Sequence, residues 1–88
     1  MSSLANQTDL EESFRATSVT VTDDLICVQL EDGREVRTPL AFYQKVLFAK
    51  KHERENFKLI GMGTGVHWPD LDEDLSIRGI VLGWKSHS

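Results

Sequence analysis

The stretch from Gly61 to Asp74, Gly-Met-Gly-Thr-Gly-Val-His-Trp-Pro-Asp-Leu-Asp-Glu-Asp, constrains the fold more than any other part of the chain. It holds three of the six glycines, one of the two tryptophans, one of the two prolines and four acids. Nothing else in the sequence is so unlike an ordinary helix or strand. Glycine serves here where the backbone needs a positive φ or a close approach. Val66-His67-Trp68 then reads as a short strand, ended by Pro69, which cannot donate to a ladder. Asp72, Glu73 and Asp74 precede Ser76, a candidate N-cap, and acids just ahead of a helix favour its positive end.

The segments around this stretch read as its scaffold. Val19 and Val21 alternate with Ser18, Thr20 and Thr22, the pattern of a half-buried strand, and Asp23-Asp24 marks a turn. In the next run Ile26, Val28 and Leu30 face one way and Cys27 and Gln29 the other. A three-residue loop of Glu31, Asp32 and Gly33 sets Val36 opposite Val28 and Thr38 opposite Ile26. A two-residue loop would mix apolar and polar residues on each face, because a slip of one residue reverses every side chain. The three-residue loop also puts Gly33 at the left-handed position of a G1 bulge.

Thr38-Pro39 opens a helix, with proline suited to the first helical position. Leu40, Tyr43, Val46, Leu47 and Lys50 form one stripe, widened by Phe42 and Ala49. Phe48 falls off it, either exposed or directed into an interface. The helix is expected to end or kink between Lys51 and Asn56. Phe57 and Leu59 start another alternating run, and Ile77, Ile80, Val81 and Trp84 recur at helical spacing. The expected fold is α+β in the order β-β-β-α-β-β-α, a mostly antiparallel sheet with one main helix packed on it. Residues 1–16 are expected to be a flexible tail, 17–84 the single domain and 85–88 a short tail.

Composition narrows the function classes. A chain of 88 residues is one small domain. Its net charge of −4 argues against nucleic-acid binding, which needs a concentrated basic face. The lone cysteine, Cys27, points to a reducing compartment and reads as a small buried hydrophobe. The N-terminus has no basic and apolar signal pattern, and no apolar run approaches the ~18–20 residues of a membrane span. The chain reads as cytoplasmic.

Several of these residues also carry a resemblance. Asp32-Gly33-Arg34, Pro39-Leu40, Tyr43, Arg54-Glu55-Asn56-Phe57 and the run from Gly61 through His67-Trp68-Pro69 to Asp74, with Ser76 and Gly79, resemble a widespread bacterial family of short proteins known as a domain of unknown function. The resemblance spans roughly Thr17 to Gly83. It implies a small α+β module. Some relatives carry an added helix-turn-helix domain and others are encoded beside a short candidate toxin, which implies an antitoxin-like role. The chain departs from the family pattern at Phe42, where tryptophan is common, and at Gln44-Lys45, where Pro-Arg is common.

Chemistry is less well supported than binding. The glycines lack the Lys-Ser/Thr of a phosphate loop and lead into a strand rather than a helix, so a tight turn between strands is the better reading. Asp70, Asp72, Glu73 and Asp74 lack the spacing of a calcium loop. His67 has no nucleophile or second histidine at a recognised spacing, and strand alternation places it on the more exposed face, away from Val66 and Trp68. No catalytic, cofactor-binding or metal-ligating residue is assigned. The expected interaction surface comprises Gly63, Gly65, His67, Trp68, Pro69, Asp72, Glu73 and Asp74, with Trp68 read equally as its anchor or as a core residue. The resulting function is a non-enzymatic protein-interaction module, either a homodimer or an antitoxin-like protein that neutralises or scaffolds a partner through the Gly61–Asp74 loop and its flanks. The alternative is a small-ligand or metal-binding protein using the same loop. A hydrolase or transferase ranks last.

Overall fold

In the first hairpin, pairing follows the apolar register: Val28 stands opposite Val36 and Ile26 opposite Thr38. The computed structural model of the chain describes residues 14–85, so most of the expected N-terminal and C-terminal tails lies outside the described residues. Strands β1 (Ala16–Val21), β2 (Leu25–Leu30) and β3 (Glu35–Pro39) form an antiparallel sheet in that order. Gly33 has φ +95°, and the Leu30 and Gly33 amides close the turn onto Arg34 O and Leu30 O. Asp32 Oδ1 accepts from the Arg34 amide at 3.0 Å, which holds its carboxyl below the ordinary range.

β1 carries an irregularity that its alternation does not reveal. Ala16 pairs with Leu30 and Ser18 with Gln29, leaving Thr17 as the extra residue of a bulge. The bulge shifts the parity, so buried Ala16 shares a face with Val19 and Val21. Ala16 is therefore a strand residue, not the last residue of a tail. Cys27 also differs from expectation. It sits half-buried on the outer face, between Thr20 and Arg37, because the core parity belongs to Ile26, Val28 and Leu30.

The single helix expected after Pro39 is instead three short pieces. A 3-10 turn spans Leu40–Phe42, α1 spans Gln44–Leu47 and α2 spans Lys51–Glu55. Leu40, Tyr43 and Val46 are all buried at intervals of three residues. A continuous α-helix advances about 300° over three residues, so a repeat of three drifts off one face. Breaking the helix at Tyr43 (φ −131°, ψ 89°) keeps all three side chains inward. The Arg54 side chain then ends α1: Nη2 donates to Leu47 O at 2.8 Å and Ala49 O at 3.3 Å, and Nε to Val46 O at 3.3 Å. Val46 O also accepts from the Ala49 amide at 3.2 Å, and the carbonyls past it are of the kind left unpaired at a bare helix end.

The second half is also antiparallel, with one strand more than expected. β4 (Lys58–Ile60), β5 (Gly65–Trp68) and β6 (Glu73–Ser76) form a separate sheet in that order. Ser76 then caps α3 (Ile77–Leu82), its Oγ accepting from the Gly79 amide at 2.8 Å. The fold is thus a small α+β domain of two three-stranded antiparallel sheets and three short helices, rather than one sheet under one main helix. Its shared core includes Ile26, Val28, Leu40, Val46, Val66, Trp68, Ile77 and Ile80. Among the described residues no helix is long and apolar enough to cross a membrane.

The sheets meet where the 3-10 turn Gly61–Gly63 abuts the start of β1. A Cβ on Gly63 (φ +90°) would stand 2.6 Å from Ala16 O, whereas one on Gly33 would meet nothing within 4 Å. Both positions favour glycine by φ, and only one is closed by neighbouring backbone. Gly33→Ala is expected to cost about 1 kcal/mol and Gly63→Ala at least about 2 kcal/mol more. Urea unfolding of the two variants checks the difference, and equal costs would contradict the close approach.

Candidate functional site

The glycine-rich half of the Gly61–Asp74 stretch is structural. Gly63 and Gly65 are buried, and the Ile60 side chain lies so close to Gly65 that a Cβ there would stand 3.1 Å from its Cγ1. These two glycines therefore sit within packing, as a tight turn between strands requires. Met62, with φ +57°, occupies the left-handed region between two glycines and is 85% exposed.

Trp68 does not lie on a surface. It is fully buried, its Nε1 donates to Arg54 O at 2.9 Å, and the Phe57 ring packs at 5.8 Å. A buried indole with a satisfied N–H is a core anchor, so Trp68 leaves the expected interaction surface along with Gly63 and Gly65. Val66 and Trp68 point inward and His67 outward, as alternation requires.

The acids divide differently from the helix-capping arrangement. Asp70 accepts from Asn56 Nδ2 at 3.1 Å, and Asp72 sits at φ +50° in the turn after exposed Pro69. Glu73 and Asp74 are strand residues, because β6 occupies the positions read as a helix approach. His67 Nδ1 is hydrogen-bonded to Asp74 Oδ1 directly across the β5–β6 ladder. Glu73, largely covered, has Lys45 Nζ at 3.9 Å. Among the described residues no three His, Cys, Asp or Glu side chains gather as a metal-holding group.

A concavity lies beside β6. A groove of about 320 Å³ is lined by all four residues of β6, by Gly79 and Ile80 of α3, and by Tyr43, Trp84 and Lys85. Its shape depends on the end of α3. Gly83 is left-handed (φ +78°), with Trp84 N donating to Gly79 O and Gly83 N to Ile80 O, the two bonds of a Schellman motif. Trp84 therefore folds back across Gly79 rather than continuing the apolar stripe, and a Cβ on Gly79 would stand 3.1 Å from Trp84 Cε3. Trp84 remains 56% exposed. The Arg78 guanidinium lies 5.9 Å from its ring, and Lys85 Nζ lies 4.9 Å from the Phe42 ring.

Tyr43 supplies the unusual chemistry of this groove. It is 2% exposed, and its hydroxyl is buried without a hydrogen-bond partner among the described residues. Such a group carries a desolvation cost that a partner removes. Burial pushes the phenol above its ordinary value of 10.0, so it stays protonated at neutral pH. Sequence reading assigned Tyr43, Ile80 and Trp84 to helix stripes and Ser76 to a cap. The usable signal was Gly83 followed by an aromatic residue, which marks a helix stop and a fold-back.

The raised phenol has a pH signature. The associated stability is fully present below 10.0 and is lost as pH climbs through the higher folded-state value. Unfolding free energies of the native chain and Tyr43→Phe are expected to run parallel up to pH about 10 and then diverge, with the native chain falling faster. Parallel profiles at alkaline pH would show that the phenol is not buried.

The comparisons with known proteins agree on the fold. A crystal structure of a protein of unknown function from Rhodospirillum rubrum is similar to this chain at 28% identity and TM-score 0.72, covering 84% of this chain and 92% of that one. A solution structure of an uncharacterized protein from Chromobacterium violaceum has the same fold at 24% identity and TM-score 0.71, covering 99% of this chain and 81% of that one. No curated protein matches. The family model of a protein of unknown function, DUF2442, matches residues 16–86, from the buried start of β1 to just past the Trp84 fold-back, and the chain belongs to that family.

Proposed function

We propose that this protein is a non-enzymatic interaction module that takes up an extended segment of a partner protein along β6. One observation carries the reading. Among the described residues β6 pairs with β5 on one edge only, and the groove lined by all four of its residues is also lined by Tyr43, whose hydroxyl is buried with no partner among those residues. A free strand edge offers backbone donors and acceptors for strand addition, and an adjacent groove selects side chains. Pro69, Asp72, Glu73 and Asp74 remain near this surface from the interaction stretch named by sequence. His67 stands outside the groove that Asp74 helps line.

The non-enzymatic part rests on the hydroxyls and thiol nearby. The His67–Asp74 pair is the closest approach to an acid–base arrangement, yet Ser76, on the same face of β6, is committed to capping α3. Cys27 lies in the other sheet. A cytoplasmic setting belongs to this reading, from the lone cysteine. Neutralising a partner by occupying its strand is one form such a module takes.

The test compares two faces. Tagged native protein, Trp84→Ala and an outer-face control, Arg37→Ala, are used to recover partners from the source cells. Trp84→Ala is expected to reduce recovery of a specific partner at least about tenfold, equivalent to about 1.4 kcal/mol or more, with Arg37→Ala unchanged. Recovery that survives Trp84→Ala, or is lost with Arg37→Ala while both variants remain folded, contradicts docking at β6.

A further inference from the structure

We infer that the segment taken up along β6 is basic, an extended strand alternating apolar residues with arginine or lysine, one of whose cationic side chains enters the groove. This rests on the β6 docking proposed above and adds the chemistry of its occupant.

Charge at the strand's N-terminal end is the first argument. Asp70, Asp72, Glu73 and Asp74 fall within one turn and the start of one strand. Their internal compensation is slight. Asp70 is bonded to a neutral amide, Asp74 to an imidazole, and Glu73 has a lysine no nearer than 3.9 Å. Asp72 forms no ion pair among the described residues. The nearby cations of the α3 end, Arg78 and Lys85, rest against aromatic rings.

The groove supplies the second, independent argument. Tyr43, which lines the groove and is 2% exposed, has a buried hydroxyl with no partner among the described residues, and a phenol oxygen accepts from a guanidinium or ammonium. Ile80 and the Trp84 ring can hold the methylene stem of a long cationic side chain whose head reaches the carboxylates. Glu73, with only 15% of its side chain exposed, is placed where an added charge would be partly desolvated.

The same charges disfavour the competing occupant. A two-fold ladder of β6 on β6 would bring Glu73 and Asp74 of each copy onto one short interface, with the turn acids Asp70 and Asp72 close by. Like charges facing across or diagonally on a ladder oppose pairing. A basic strand converts that repulsion into attraction, which also speeds encounter at low salt.

Three short capped peptides of equal length, alternating valine with arginine, glutamine or glutamate, test the inference against the isotope-labelled full chain by NMR. The arginine peptide is expected to shift the β6 amides and the Trp84 indole and to bind at least about tenfold tighter than the glutamine peptide. That advantage should shrink several-fold between about 0.05 and 0.3 M salt. In the doubly substituted Asp72→Asn, Asp74→Asn chain the arginine and glutamine peptides should become nearly equal. Asp72 and Asp74 are exposed, so this variant retains the core, and its amide spectrum verifies that. Equal or tighter binding of the glutamine or glutamate peptide at β6 overturns the charge inference and leaves strand docking standing. Shifts at β6 that follow protein concentration overturn it in favour of a second copy. If all three peptides leave β6 and Trp84 unperturbed, strand docking fails as well.

Discussion

The hydrogen bond from the Trp68 indole to Arg54 O, at 2.9 Å, is the constraint on which the rest of the architecture depends. It joins the central strand of one sheet to the segment that crosses between the sheets. Arg54 serves both sides of that junction. Its carbonyl satisfies the buried indole, and its guanidinium, 14% exposed, closes the carbonyls at the end of α1 and approaches Asp23 at 3.6 Å in the β1–β2 turn. Removing the indole would leave an unfilled volume and an orphaned carbonyl together, and large-to-small changes at such sites cost about 3–5 kcal/mol.

This constraint determines which strand edge is left open. With Trp68 drawn into the core, β5 becomes the shared middle strand of its sheet and β6 the free edge. α3 follows β6 directly through the Ser76 cap, so the Trp84 fold-back is carried to the same edge. Tyr43 arrives from the other side because the broken helix keeps Leu40, Tyr43 and Val46 inward together. An open strand edge, an aromatic wall and an unsatisfied hydroxyl thus converge through the packing of the core. Their convergence supports a binding role more strongly than any single residue does.

Much of the first half was legible in the sequence because its period is two and its turn chemistry is explicit. Gly33, Val36 and Thr38 specify one register, and that register is present. The bulge at Thr17 was not legible, since alternation from Ser18 onward looks regular whichever side Ala16 faces. The helix break at Tyr43 was hidden for a different reason. Leu40, Tyr43 and Val46 fit a loose helical stripe, while the carbonyls that stop α1 are satisfied by Arg54, eight residues beyond Val46. β6 escaped notice because Asp72-Glu73-Asp74 before Ser76 also suits a helix approach, and its pairing with β5 is a tertiary fact. Trp68 likewise reads equally as hot spot or core until its indole partner is known, and its burial makes it core.

The two tryptophans provide the most direct test. One is buried and bonded to Arg54 O, and the other is 56% exposed at the groove. Their indole N–H groups give separate signals in one hydrogen-exchange experiment on the intact chain. The Trp68 indole should exchange only through large-scale unfolding, orders of magnitude more slowly than that of Trp84. Rapid exchange at both indoles would contradict the central role of the Trp68–Arg54 bond.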